Sequence, residues 1–422
     1  MNIPESFLNE LKQRTDIEDV ISSYVALKRC GSKLVGLCPF HNEKTPSFTV
    51  FTKTQSFYCF GCGTGGDAIG FIKRIENLDF IDAVKFLAKR TGLQIPEKEL
   101  NDSFGSEYET LYEINKETAD YYHSYMLSKE GKKGLDYLIS RGLEKSTINK
   151  FNLGFAPDCR NSLLFHLLDK GFWIGDMVAA GVVRNTQKGY CDTFRKRLTI
   201  PITDLSGKVI AFGGRTIDGT MPKYINTAET RIYKKSGGLF ALNIAKNSCK
   251  KSIILCEGYM DAISMHQAGF DNAVAGCGTA LSNEQVELLK RYSREVILVY
   301  DCDDAGQKAL NRAIGKFRAA NINIKVPFLY GGKDPEEIIR NLGKEQFAQM
   351  LYTAPDDIGY AISHLYQKYN LSTIQGKLDL ISEAAVILSA ASSIERNLYI
   401  SQISGNLDVD RESLKAQFDL LL

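Results

Sequence analysis

The sequence predicts a multidomain protein that combines α+β and α/β domains, and three observations lead to this expectation. The chain has 422 residues, a length typical of two or three domains. Near the N-terminus, two pairs of metal-ligating residues are separated by 17 residues in a stretch rich in glycine and aromatics, which favours β-hairpins around a metal. Between residues 251 and 335 an apolar strand, an acidic loop and a helix follow one another three times, a pattern typical of a parallel sheet covered by helices.

Changes in residue pattern divide the chain into five segments. The expected segments are a metal-binding ribbon (1–98), a polar linker (99–107), a mixed α/β segment with a basic excess (108–250), a parallel-sheet segment (251–335) and a helical segment (336–422).

Composition limits the location of the protein and the function classes. There is no run of 18 apolar residues, and the charged, amphipathic N-terminus lacks the apolar core of a signal peptide, so we expect a cytoplasmic protein without a membrane span. Thiols stay reduced there, so the 10 cysteines are interpreted as core residues and metal ligands rather than as disulfides. No GxxxxGK[ST] motif occurs, which argues against a P-loop ATPase.

The two ligand pairs are Cys38-x-x-His41 and Cys59-x-x-Cys62. Three thiolates and one imidazole suit a closed, tetrahedral, structural Zn²⁺ site. Four unrelated buried residues are the alternative. Aromatic residues and lysines near these pairs could stack bases and hold phosphates of a single strand, although we expect at least half of the aromatics to form the core of the ribbon; the residues concerned are Phe48, Phe51, Phe57, Tyr58, Phe60, Lys33, Lys44 and Lys53.

Acidic residues follow the apolar strands of the parallel-sheet segment. Glu257 follows "SIILC", and Asp301 and Asp303 follow "REVILVY". Carboxylates that converge at strand ends repel one another unless a cation lies between them, and oxygen ligands select Mg²⁺ or Mn²⁺. Candidate further ligands are Asp261, Asp334 and Glu336. The alternative is that each acid only caps the helix that follows it.

A basic strip precedes the acidic residues. Residues 184–251 contain 14 Lys and Arg against 4 Asp and Glu, whereas residues 1–100 contain 13 against 12. Arg195 and Arg197 are expected on one side of a strand because their spacing is two. Such cations suit triphosphates and nucleic-acid backbone, although a solvated surface would also explain them. The remaining candidates are Arg215, Lys223, Asn226, Lys234 and Lys235.

Taken together, the motifs resemble those of bacterial DnaG-type DNA primases across nearly the whole chain. The segments that carry the resemblance are "GLCPFHNEKTPSFTV", "YCFGCGTGGDAIGF", "FRKRLTIPITDLSGKVIAFGGRT", "PKYINTAET", "CEGYMDAIS" and "YDCDDAGQKA".

The resemblance implies a zinc-ribbon template-binding domain followed by an RNA polymerase domain with a TOPRIM catalytic subdomain. It implies synthesis of short RNA primers on single-stranded DNA from ribonucleoside triphosphates, with an RNA–DNA hybrid as product. The zinc ligands would be the two pairs above. Glu257, Asp301 and Asp303 would be the catalytic metal ligands, supported by Asp261 and Asp334. The strip from Arg195 to Lys235 would hold template and nucleotide, and Lys150 falls where the family often has an arginine.

Three departures from the family pattern concern its late acidic motif, the "IYKKSGG" segment and its C-terminal part. In "IYKKSGG", Lys234 and Lys235 stand where the family typically has one lysine. The sequence has "YGGKDPE", with Gly331 and Glu336 where the family usually has aspartates. The family also adds a C-terminal domain that docks on the replicative helicase; we expect this domain to be absent here, so helicase binding is not assumed. We expect a monomer. A TOPRIM nuclease or topoisomerase-like enzyme that cleaves DNA is the alternative function.

Overall fold

The computed structural model describes residues 5–31, 33–41, 43, 45–76, 78, 80–93, 104–249, 251–278 and 280–421. The chain forms two compact units, residues 1–109 and 110–422. Among the described residues, no helix is both long enough and apolar enough to cross a membrane.

The first unit is a small antiparallel sheet covered by helices. Its strands are paired in sequence order from β1 to β5, and aromatic rings from the central strands, including Phe48 and Phe57, pack against Phe71 in a buried core. Asp67 accepts a hydrogen bond from the Gly70 amide and so caps the third helix. The elements are α1 (Glu5–Arg14), α2 (Ile17–Ser22), β1 (Lys28–Cys30), β2 (Lys33–Gly36), β3 (Phe48–Phe51), β4 (Ser56–Cys59), β5 (Gly65–Gly66), α3 (Ala68–Ile75) and α4 (Phe80–Thr91).

The second unit begins with helices and an antiparallel sheet. Four strands pair in the order β11-β10-β9-β6, and a separate hairpin is formed by β7 and β8. The elements are α5 (Phe104–Leu127), α6 (Lys132–Ser140), α7 (Lys145–Lys150), β6 (Gly154–Phe155), α8 (Ser162–Asp169), α9 (Ile174–Ala179), β7 (Val183–Thr186), β8 (Gly189–Asp192), β9 (Arg197–Thr203), β10 (Val209–Thr216), β11 (Tyr224–Asn226) and α10 (Leu242–Ala245).

A parallel sheet follows, as the repeated strand–acid–helix pattern predicts. Its strands are ordered β13-β12-β14-β15, and every neighbouring pair is parallel. The two central strands, β12 and β14, are buried on both faces, which explains their continuous apolar sequences. The elements are β12 (Ile253–Cys256), α11 (Tyr259–Gln267), β13 (Ala273–Ala275), α12 (Asn283–Lys290), β14 (Glu295–Val299), α13 (Asp304–Ala319) and β15 (Asn323–Lys325).

The C-terminal part is helical, as expected for residues 336–422. Its last four helices share a buried apolar core of their own. The elements are α14 (Pro335–Leu342), α15 (Lys344–Tyr352), α16 (Asp357–Lys368), α17 (Ile374–Ser389), α18 (Ser393–Leu407) and α19 (Arg411–Leu421).

The fold class is therefore confirmed as multidomain with a parallel α/β sheet, whereas the segment boundaries stay predictions. The linker expected at 99–107 lies mostly outside the described residues, because 94–103 are not described. Its last four residues belong to α5, which begins at Phe104.

Candidate active site and metal centre

The four predicted zinc ligands converge at one end of the ribbon sheet. Cys38 and His41 follow β2, Cys59 ends β4 and Cys62 lies in the next turn, and one ligand atom from each lies within 4.8 Å of the others. The Cys38 and Cys62 sulfurs are 3.9 Å apart, and His41 Nδ1 lies 3.7 Å from Cys59 Sγ. A tetrahedron with metal–sulfur bonds of about 2.3 Å has edges of about 3.8 Å. The donor set and its spacing therefore fit Zn²⁺.

Two of the thiols differ in their readiness to ionise. Burial raises the pKa of Cys38 to about 12. Burial also acts to raise the pKa of Cys59, but hydrogen bonds from Ser47 and from the backbone of Cys62 and Gly61 outweigh it and lower this pKa to about 7. The cluster thus holds one thiol that is close to ionisation and one that a cation must help to deprotonate.

The aromatic residues of the ribbon divide between core and surface. Phe48 and Phe57 are buried and stacked, as expected for core residues. Tyr58 and Phe60 are 41% and 67% exposed and form an edge-to-face pair 5.1 Å apart. Lys33 lies 5.0 Å above the ring of Phe51. Lys44 and Lys53 are the other two lysines that the sequence predicts as possible phosphate contacts. Of these, Lys44 lies outside the described residues.

Glu257 and Asp301 meet at the carboxyl edge of the parallel sheet. Strands β12 and β14 are adjacent and in register, with Cys256 opposite Val299, so the acids that follow them emerge together. The Asp301 amide donates to Glu257 Oε1 at 3.1 Å. Gly306 permits this approach, because a Cβ there would lie 2.2 Å from the Asp301 carbonyl oxygen and 2.9 Å from Glu257 Oε1.

The carboxylates at this edge disfavour each other's ionisation. Burial, followed by the charges of Glu257, Asp334 and Asp303, raises the pKa of Asp301 to about 6, although Lys223 opposes the shift. Burial and the charge of Asp303 likewise raise the pKa of Glu257. Half-buried oxygen donors that repel one another fit a divalent cation.

A second acidic cluster lies next to the first. Carboxylate oxygens of Asp261, Asp334 and Glu336 lie within 4.8 Å of one another. Burial and the charges of Asp334, Asp301 and Glu336 raise the pKa of Asp261 well above its usual value. Asp261 also accepts a hydrogen bond from the Gly258 amide at 3.1 Å. Among the described residues, this cluster brings three carboxylates closer together than the edge formed by Glu257, Asp301 and Asp303 does.

Helix capping accounts for part of the acidic pattern as well. Asp303 accepts from the Gly306 amide at 2.8 Å and caps α13. Asp334 accepts from the Glu337 amide at 2.7 Å and caps α14. Capping uses one oxygen of each of these carboxylates, so it is compatible with a cation at the other oxygen.

Sequence reasoning missed Arg141. Its guanidinium donates from Nε to Glu336 Oε1 at 2.6 Å, and its second terminal nitrogen donates to Glu336 Oε2. Arg141 lies outside the basic strip, and 195 residues separate it from Glu336, so no local pattern indicates the pair.

The expected placement of Arg195 and Arg197 on one strand face is wrong. Lys196 has φ +50°, which breaks the extended backbone, and β9 begins only at Arg197. Arg197 is buried and donates to three backbone carbonyls, those of Gly214, Pro222 and Lys223. Arg195 is exposed and lies 3.5 Å from Asp158. Arg197 therefore braces the sheet, whereas Arg195 faces solvent.

Arg215 and Lys223 line a cavity of about 270 Å³. Arg215 is 5% exposed, donates to the Tyr224 hydroxyl at 3.0 Å and has no partner for its Nε. Its guanidinium lies between the rings of Tyr137 and Tyr224, 5.7 and 5.5 Å from their centroids. The positive charge of Lys223 also opposes the rise in the pKa of Asp301. This cavity thus carries two positive charges, of which that of Lys223 acts on the acidic edge.

Asn226 is fixed between two parts of the second unit, because it donates to the Cys277 carbonyl and accepts from the Tyr259 hydroxyl, both at 3.1 Å. Lys150 is exposed and pairs with Asp271 at 3.5 Å. Lys234 is exposed and Lys235 is half-buried.

Comparison with known proteins places these parts in one family. Four family models match in order: a CHC2 zinc finger over residues 3–103, the DNA primase catalytic core N-terminal domain over 121–246, a Toprim-like domain over 254–339, and the DnaB-helicase binding domain of primase over 358–412. The DNA primase of Clostridium acetobutylicum is 38% identical over 99% of this chain and 70% of its own length. The chain belongs to the DnaG-type DNA primases.

Solved primase structures agree with this. The zinc-binding and RNA polymerase domains of the Aquifex aeolicus primase match with a TM-score of 0.62 and 34% identity, covering 97% of this chain and 98% of that one. The RNA polymerase domain of Mycobacterium tuberculosis primase DnaG, solved with a double-stranded DNA oligomer with an overhang, matches with a TM-score of 0.65 and 30% identity over 71% and 97% of the two chains. The curated relatives are longer, and the primase chain spans 60% to 71% of their length.

Primases are nucleotidyltransferases, so the predicted enzyme class is confirmed. The expectation that a helicase-binding domain is absent is wrong, because residues 358–412 match that domain. The segment contains helices α16 to α18 and the start of α19, and its residues carry apolar periodicity but no metal-binding or catalytic motif. Periodicity alone predicts a helical bundle and does not indicate what the bundle binds.

Proposed function

We propose that this primase synthesises short RNA primers on single-stranded DNA from ribonucleoside triphosphates and Mg²⁺ or Mn²⁺. The observation that supports this most is the contact between Glu257 and Asp301 at adjacent strand ends, with Lys223 close enough to influence the Asp301 carboxylate. Primer synthesis needs anionic ligands for a metal beside a cationic site for phosphates, and the second unit has both.

Each part then has a role in nucleotidyl transfer. Glu257, Asp301 and Asp303 hold the divalent cation, and Asp261 and Asp334 support it. When bound, that cation neutralises phosphate oxygens and lowers the pKa of an attacking hydroxyl. Arg215, whose Nε has no protein partner, and Lys223 bind the triphosphate, since a guanidinium fork matches phosphate oxygens.

Outside the cavity, the other candidate residues of the basic strip, together with Lys150, carry the template and the RNA–DNA hybrid. The residues that we assign to this role are Lys150, Arg195, Arg197, Asn226, Lys234 and Lys235. The exposed members make direct contacts, whereas Arg197 and Asn226, which are tied to neighbouring backbone, hold the surface in shape.

Primer synthesis on a single-stranded template tests the metal assignment. With Asp301→Asn or Asp303→Asn, RNA yield is expected to fall by about 10²-fold or more, because a catalytic metal supplies several kcal/mol of stabilisation to the transition state. Asp304→Asn is the matched control, since Asp304 is exposed at the start of the same helix. Wild-type yield from either test variant would contradict the assignment.

DNA cleavage is the rival activity for a Toprim-like domain. Incubating the protein with labelled DNA and Mg²⁺, but without ribonucleotides, distinguishes primer synthesis from DNA cleavage. The proposal predicts intact DNA, and fragments whose formation depends on Asp301 would favour the rival.

The zinc ribbon is proposed to contact template bases through Tyr58 and Phe60, the exposed aromatic pair. Stacking on an aromatic ring contributes about 1–3 kcal/mol per base, so alanine at either position should weaken binding of single-stranded DNA by roughly five- to hundredfold. Fluorescence anisotropy with a labelled oligonucleotide measures this. Phe80→Ala, at another exposed aromatic of the same unit, should leave affinity unchanged.

The segment that matches the helicase-binding model is proposed to contact a replicative helicase of the DnaB type. Large apolar residues remain exposed on it, with Ile374 and Val386 on α17 and Ile394 on α18 at 72–81% exposure. Val386→Asp and Ile394→Asp should abolish complex formation with the purified helicase in analytical ultracentrifugation. Leu168→Asp on α8, which is also exposed, is the control.

A further inference from the structure

Glu43 contacts two of the proposed zinc ligands and Ser47, which lies beside a third. Its Oε1 accepts hydrogen bonds from the Cys38 amide at 2.8 Å and from the Ser47 amide at 3.0 Å. Its Oε2 lies 3.2 Å from His41 Nε2 and also accepts from the Ser47 hydroxyl. The Ser47 oxygen in turn lies 3.2 Å from Cys59 Sγ. One carboxylate is thereby linked to three of the four ligands.

The two nitrogens of the His41 ring face different groups. Nδ1 lies 3.7 Å from Cys59 Sγ and so faces the ligand cluster, whereas Nε2 faces Glu43. A metal needs the lone pair of an unprotonated nitrogen, so the ring proton must be on Nε2. A carboxylate that accepts this proton in a hydrogen bond favours the tautomer that can bind zinc.

The ring has little freedom to turn away from this arrangement. Gly61 lies over it so closely that a Cβ at that position would be 2.5 Å from His41 Nε2 and 2.8 Å from the Ser47 hydroxyl oxygen. The Glu43 side chain is only 9% exposed, so water cannot easily replace it as the acceptor.

We propose that Glu43 is a positioning residue of the zinc centre, which fixes the ring orientation and tautomer of His41 and links it to the Cys38 and Cys59 ends of the site. The proposal depends on zinc binding by this cluster and not on primer synthesis, so the two can fail separately.

Glu43→Gln is the sharpest variant. A glutamine can keep one carbonyl oxygen for the Cys38 and Ser47 amides, but its amide group would then present donors where His41 Nε2–H also donates. The 422-residue chain is loaded with Zn²⁺, and the zinc is competed away with a chromophoric chelator. Because groups that hydrogen-bond to metal ligands contribute about 10–100-fold to metal affinity, zinc affinity is expected to fall by roughly that factor.

The matched control is Glu10→Gln, an exposed glutamate of the same unit whose ion-pair partner is Arg14, and its zinc affinity should equal that of the wild type. Nitrogen NMR of the histidine rings adds a readout that a purely structural role would not change. In the wild-type zinc form His41 should carry its proton on Nε2, and in Glu43→Gln the signals should show mixed tautomers or ring motion.

A second variant separates positioning from simple support of the loop. Glu43→Ala also removes the acceptor for the two amides, so it should lower zinc affinity at least as much as Glu43→Gln. If Glu43→Gln binds zinc as the wild type does, with the same His41 tautomer, while only Glu43→Ala is impaired, Glu43 supports the loop alone and the proposal is wrong.

Discussion

Arg141 and Glu336 form a two-point ion pair that joins the end of α6 to the first turn of α14. Glu336 is 4% exposed and belongs to the second acidic cluster, with Asp261 and Asp334. Tyr137, one turn before Arg141, lies under the guanidinium of Arg215. Helix α6 therefore contacts both the acidic cluster and the cationic cavity, and it supports both parts of the proposed active site.

Loss of the Arg141 side chain should destabilise the second unit. Arg141→Met leaves the buried Glu336 carboxylate without its main partner, and breaking a buried pair costs about 3–5 kcal/mol. Arg340, 4.0 Å from Glu336, can compensate in part. We therefore expect the free energy of unfolding, measured with urea, to fall by about 2 kcal/mol. Lys145→Met, at an exposed position on α7, is the control. In a double-mutant cycle, adding Glu336→Gln to Arg141→Met should restore part of the lost free energy of unfolding. If the effects of the two substitutions simply add, the pair is not coupled.

The convergence of the four proposed zinc ligands and the Glu257–Asp301 contact could be predicted from the sequence, because both follow from local rules. Paired ligands at x-x spacing form tight turns, and acids that end adjacent parallel strands must emerge at one edge. The Arg141–Glu336 pair connects distant segments, and its partners carry no motif. The misplacement of Arg195 arose because period-two reasoning assumes extended backbone, and the positive φ of Lys196 interrupts it.

The raised pKa of Asp301 predicts how metal-free stability depends on pH. The pKa is about 6 in the folded protein, against about 3.9 when unfolded, so the folded state binds the proton more tightly. This contribution to stability is present below about pH 4 and is lost as the pH rises through about 6.

Asp301→Asn should therefore be more stable than the wild type in a chelator at pH 8. The carboxyl is only half-buried, so the difference should be on the order of 1 kcal/mol, and it should vanish near pH 4. Urea unfolding at the two pH values measures it. Added Mg²⁺ should stabilise the wild type more than the variant. A constant difference across pH would assign the effect to packing instead of titration.

Arg215 should be sensitive to conservative replacement. Lysine keeps the charge, but it loses the flat group between Tyr137 and Tyr224 and the fork that matches phosphate oxygens. Arg215→Lys is expected to raise KM for ribonucleotides by roughly tenfold, about 1.4 kcal/mol, with a smaller effect on kcat. Steady-state primer synthesis at saturating template measures both. Lys188→Arg, at an exposed position in the turn between β7 and β8, should change neither. An unaltered KM in Arg215→Lys would exclude a phosphate contact by this side chain.

Gly61 should be intolerant of any side chain, since its added Cβ would meet the His41 ring and the Ser47 hydroxyl below 3.0 Å. Gly61→Ala is expected to displace His41 from its position and to speed zinc loss to a chelator by about tenfold or more. Gly66→Ala is a matched control in the same unit, because the nearest atoms to its Cβ lie 3.6 Å or more away. Its zinc should be released at the wild-type rate. Equal rates for both variants would mean that the His41 ring can shift without loss of the metal, and that close packing under Gly61 does not hold the site together.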